Sequence, residues 1–204
     1  YSKPMFKTFL LILIVIFISC KSENKKNIEY TGRIGIETFR VAGEKHIDSI
    51  VEYLKIDGKE YANQIWLVDK DKDTVGGNYF DFFIDDTTKL GNATRLSFTL
   101  TKPAIKWDSD IFVVLPFNDR ELNDDFSNLL DIKLDTLYSL KDDGIPHPEL
   151  SELNLPLNRI AEFEIEYGSI GKKIIRGIIV EKGTLDGKKY ERRLFFNDSL
   201  HVTD

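Results

Sequence analysis

Alternation with a period of two residues constrains this chain more than any other feature. In "TRLSFTL", Leu96, Phe98 and Leu100 alternate with Arg95, Ser97 and Thr99. In "IAEFEIEY", Ala161, Phe163, Ile165 and Tyr167 alternate with three glutamates. Successive side chains of a strand point to opposite faces, so each segment is an extended ribbon with one apolar and one wet face. "DIFVVLPF" and "KKIIRGIIVE" are apolar more continuously, which predicts strands covered on both sides. Asp57-Gly58 and Asp186-Gly187 stand between strand-like arms, where a two-residue type I′ turn needs positive φ at both positions. Gly76-Gly77 and Gly168 to Gly171 read as further turns. "HIDSIVEYLKI" has helical spacing, but it runs straight into Asp57-Gly58, so a strand from about Ser49 is expected. The fold class is all-β.

Two arrangements of these strands fit the pattern. "DTVGGNYFDFFI" through "DIFVVLP" and "DTLYSLKDDGIP" through "GIIVE" repeat one order: Asp-Thr, an apolar segment, a turn, an alternating strand and an apolar strand. That echo predicts two small antiparallel β-sandwiches, over residues 31–117 and 118–204, joined by the Asp- and Asn-rich "PFNDRELNDDFSN". One larger sandwich or barrel of eight to ten strands is the alternative.

The other constraining feature is "FLLILIVIFISCKSENKK". Taken from Met5, a cationic Lys7, an apolar run from Phe9 to Ile18 and small residues before Cys20 follow the three-part order of a secretory signal. The run is shorter than the roughly 20 residues that span a hydrocarbon core. Phe17-Ile18-Ser19-Cys20 resembles the lipobox of bacterial lipoproteins, with Phe17 where leucine is commonest. The resemblance implies that residues 1–19 are a signal peptide and that Cys20 is lipidated and becomes the mature N-terminus. It also implies lipid anchoring at the cell envelope, in the outer membrane. Several acyl chains would hold far better than the single chain that binds only marginally. Residues 20–30, polar and aperiodic, read as a tether. The strand pattern looks like the small Ig-like modules of envelope lipoproteins, without the Cys…Trp…Cys core of immunoglobulin domains.

Composition and motifs exclude more than they assign. A net charge of −6, with Lys and Arg interspersed among Asp and Glu, is unsuited to a phosphate backbone, so no nucleic-acid partner is expected. A single cysteine leaves neither a disulfide nor a CxxC metal site. His46, His147 and His201 lack partners at ligand spacing, and His147 in "IPHPEL" reads as an exposed loop residue. No nucleophile-elbow, zincin, P-loop or dinucleotide motif occurs, and neither an enzyme, a cofactor nor a metal is expected. Asp69, Asp71 and Asp73 open like an EF-hand loop, but Thr74 and Phe80 stand where its glycine and bidentate glutamate belong. A solvated hairpin tip is the reading.

Two binding roles remain. The first is a non-enzymatic module that binds or scaffolds an envelope protein. The second is a glycan-binding module for nutrient uptake, in which exposed aromatics stack on sugar rings. Tyr79, Phe80, Phe82, Phe83 and Trp66 suit core positions, which leaves Trp107 in "KPAIKWDSD" as the candidate stacking residue. Separately, Ser49, Thr74, Thr87, Thr136 and Ser199 each follow Asp and precede an aliphatic residue or Thr. This resembles the O-glycosylation motif of Bacteroidota. Composition alone would supply about one such tripeptide. Asp-capped turns leading into strands would produce the same pattern.

Overall fold

The computed structural model describes residues 34–41, 46–105 and 108–204. The expected signal peptide, the tether with Cys20, and Trp107 lie outside these residues. The chain forms β1 (Ile34–Arg40), β2 (Asp48–Ile56), β3 (Lys59–Val68), β4 (Thr74–Ile84), β5 (Thr87–Lys89) and β6 (Ala93–Lys102). There follow β7 (Asp110–Pro116), β8 (Leu134–Tyr138), a one-turn helix α1 (Pro148–Ser151), β9 (Ile160–Glu166), β10 (Gly171–Leu185) and β11 (Lys188–Thr203). One sheet has the order β1-β2-β3-β4-β6-β9 and the other β5-β11-β10-β7-β8. All pairings are antiparallel except β5 on β11. The all-β expectation holds.

The expected division at residue 117 does not. β9, from the second half, pairs with β6 from the first, and β7 pairs with β10. The two sheets share one core. Phe98 and Leu96 of β6 and Phe82 of β4 meet Val113 of β7, Ile179 of β10, and Leu194 and Phe196 of β11. Phe98 stacks on Phe82 at 4.3 Å and meets Phe196, across the core, at 4.7 Å. Neither half could bury its apolar faces alone, because each supplies strands to both sheets. The described residues form a single sandwich.

The stretch expected as a linker is a cover. Leu122, Phe126 and Leu129 lie on the outer face of the second sheet against Ile178, Val180 and Phe195. Arg176 fastens them, donating to the Leu122 carbonyl at 2.9 Å and the Asp124 carboxylate at 2.7 Å. This second apolar layer is why "KKIIRGIIVE" is continuously apolar, as a doubly covered strand should be.

Both type I′ turns are present: φ is 47° at Asp57 and 75° at Gly58, and 51° at Asp186 and 74° at Gly187. Gly76 and Gly77 do not form the expected turn but lie inside β4. A Cβ on Gly77 would stand 2.1 Å from the Ile65 carbonyl oxygen, and its φ of 130° belongs to glycine. The turn lies just upstream, where Asp69 Oδ1 accepts the N–H groups of Asp71 and Asp73. The segment from Asp48 is a strand, as its hairpin required.

Candidate binding groove

Of the features the sequence singled out, the structure brings few together. The five Ser/Thr positions are scattered: Ser49 in β2 and Ser199 in β11 are half-buried, whereas Thr74, Thr87 and Thr136 are exposed in β4, β5 and β8. Phe80 is buried and Phe82 packs on the core, as expected of strand aromatics. Phe83 is exposed instead, because it alternates with Phe82 and faces outward. Trp66 and Tyr79 form a half-buried pair, with ring centroids 5.9 Å apart and planes 30° apart.

His147 is not the exposed residue expected. Its Nε2 lies 2.8 Å from Asp143 Oδ2 and both side chains are largely covered. Burial raises the Asp143 pKa, but the Ile145 N–H and the His147 ring outweigh it and hold the carboxyl below its ordinary value. Nearby, burial and a hydrogen bond with Asp142 push Asp110 up, against the Ser139 hydroxyl that donates to it at 2.9 Å. Among the described residues no group of three or more His, Cys, Asp or Glu is placed to hold a metal.

Sequence reading missed a groove of about 370 Å³ at one end of the second sheet. The start of β10, with Ile174 and Ile175, and the end of β7, with Leu115 and Pro116, line it. Phe117, 63% exposed, and Ile174, 41% exposed, give it an apolar lip. Arg120, Lys172, Lys173 and Arg176 line it, and among the described residues no Asp or Glu does. Lys133 Nζ sits 3.8 Å from the centroid of the Phe117 ring, where the electron-rich face attracts it. Lys173 donates to Ser169 Oγ at 2.6 Å, and Arg176 is held by Asp124. Arg120 and Lys172 are exposed. A chain of net charge −6 thus gathers cations around one apolar depression. No periodicity could show this, because Phe117, Arg120, Lys133 and Lys172 converge from three separate segments.

The start of β1 and the groove stand at two ends of a chain of strand contacts. Ile34 pairs with Leu54, which pairs with Tyr61, whose hydroxyl donates to the Arg193 carbonyl at 2.6 Å. Arg193 pairs with Val180, and seven residues of β10, roughly 23 Å at the usual strand rise, separate Val180 from Lys173.

No family model, curated protein or solved structure matches the chain.

Proposed function

We propose that this chain is a non-enzymatic lipoprotein of the cell envelope, held through acylated Cys20, that binds an envelope protein in the groove. The observation that supports this reading is the cationic, apolar-lipped groove on an acidic molecule. A segment presenting carboxylates beside an apolar or aromatic side chain complements it. Arg120 and Lys172 would steer the encounter, and burial of Phe117 and Ile174 would supply affinity. The test is capture from detergent-solubilised membranes, with tagged wild-type chain beside R120E/K172E. The expected result is a partner retained by wild type and lost from the variant. Equal retention by a normally folded variant would contradict it. The anchor is tested separately: intact mass should show acyl groups on Cys20, absent in C20A.

A second reading, a glycan-binding module, draws on the Trp66–Tyr79 pair and on exposed Phe83 further along β4. Oligosaccharide-dependent quenching of tryptophan fluorescence, lost in Y79A, would favour it. The exposed Thr74, Thr87 and Thr136 are the positions where O-linked sugars would fit; mass spectrometry of natively expressed protein reads them directly.

A further inference from the structure

β11 is 16 residues long, but β5 pairs its outer edge only from His201 to Thr203. Further back, side chains of β3 close the same edge: the Tyr61 hydroxyl at the Arg193 carbonyl and the Asn63 amide at Phe195. Between these closures the edge-facing backbone belongs, by alternation, to Asn197 and Ser199. The Ser199 N–H turns to the Asp198 carboxylate at 2.7 Å. A strand's width is missing there, and a cavity of about 150 Å³ occupies it. An engineered apolar cavity of about that volume accommodates a benzene-sized molecule.

The walls are chemically specific. Phe82 and Phe196 line the inner side and Phe126 the outer, while Glu52, Gln64 and Asp198 supply the polar groups. Among the described residues no Lys, Arg or His lines it. Glu52 Oε2 accepts from Asn63 Nδ2 at 2.6 Å and from Gln64 Nε2 at 3.0 Å, both neutral donors. Among the described residues neither Glu52 nor Asp198 forms an ion pair. Phe126 is held at a φ of 58°, a region that bulky side chains avoid. Its N–H donates to the Asn123 carbonyl at 3.1 Å, and Asn123 and Asp125 side chains fix the neighbouring Ser127. Two carboxylates without cations, set among phenyl rings, form an environment that favours a positive charge with an apolar body. An anion would be repelled, and a neutral apolar molecule would gain nothing from the two carboxylates.

We propose that this cavity binds a small alkylammonium ion, its nitrogen donating to Glu52 and Asp198 and its hydrocarbon lying against Phe82, Phe126 and Phe196. The site is separate from the groove, and its test does not depend on the envelope-protein reading. The full chain is titrated with n-butylammonium chloride and, in parallel, with 1-butanol of the same shape, following backbone amide NMR signals. The ammonium should shift Gln64, Phe126 and Asn197 signals saturably, with 1-butanol at least tenfold weaker. E52Q should weaken the ammonium at least tenfold and leave 1-butanol unchanged; D198N, at an exposed side chain, serves the same purpose if E52Q does not fold. Equal binding of the two probes, or no saturable shift with either, would overturn the proposal.

Discussion

Asn63 and Phe195 pair as two strands would, although one partner is a side chain. Asn63 Oδ1 accepts the Phe195 N–H at 2.7 Å, and Asn63 Nδ2 donates to the Phe195 carbonyl at 2.8 Å. The amide has the donor and acceptor of a peptide group, so it supplies what an absent neighbouring strand would have supplied. It reaches Phe195 from a β-bulge, where Asn63 and Gln64 together oppose Glu52. An open edge is thereby closed by the facing sheet.

Replacing Asn63 by Ala leaves a buried N–H and a buried carbonyl without partners. Unsatisfied buried groups cost about 1–3 kcal/mol each, so N63A should lose about 3 kcal/mol in urea denaturation. A loss within experimental error would show that water replaces the amide.

Glu181 and Arg192 face each other across β10 and β11 at 3.8 Å, with Glu181 fully buried. The carboxylate also accepts the N–H groups of Ala104 and Ile105, tying the β6–β7 loop to the core. E181Q keeps an acceptor but leaves the Arg192 charge uncompensated, though Arg192 still donates to the Asn78 carbonyl at 3.1 Å. The expected loss is about 2 kcal/mol, below the full cost of breaking a buried pair because Arg192 retains some solvent. In a double-mutant cycle with R192M the two losses should fall short of additivity by about 1 kcal/mol or more.

Asp110 titrates above its ordinary value of 3.8 in the folded state, through burial and Asp142. The native state therefore holds the proton longer than the unfolded chain. Stability should fall as pH rises from about 4 through the folded pKa. D110N, which keeps an acceptor for Ser139, should flatten that fall in a series of Tm measurements against pH. Asp143 acts in the opposite sense, its contribution disappearing as pH drops through its lowered pKa. An unchanged slope in D110N would remove Asp110 from the account.

G77A and G76A form a matched pair. At Gly77 a Cβ meets backbone, whereas at Gly76 its nearest neighbour is the end of the Leu67 side chain at 3.4 Å. G77A should cost about 2 kcal/mol or more and G76A distinctly less. Equal losses would mean that glycine serves only as a flexible residue in β4.

The contrast between Gly77 and Gly58 shows what the sequence made legible. Asp57-Gly58 is a local signal: two residues determine their own turn and the register of β2 on β3. The alternation of Leu96, Phe98 and Leu100 is local too, and it named the core face of β6 correctly. Gly77 is glycine because of Ile65, on another strand, and its sequence neighbourhood looks like a turn. The cover was misread for a similar reason. Leu122, Phe126 and Leu129 are separated by Asn and Asp that serve turns, so composition suggested a linker, while their partners Ile178 and Phe195 lie 49 or more residues away. The near-repeat of two halves is a resemblance of strand order, and pairing follows long-range packing of both halves around Phe98. The groove was invisible for the same reason, since Phe117 and Lys172 meet only in the folded chain.

The most direct test of the proposed function is site-specific photo-crosslinking in intact cells, with the crosslinker at position 174 in the groove or at position 83 on the opposite sheet's outer face. The expected result is a discrete crosslinked envelope protein at position 174, absent at position 83 and abolished by R120E/K172E. Crosslinking at position 83 alone, or a product at position 174 that persists in the charge-reversed variant, would contradict it.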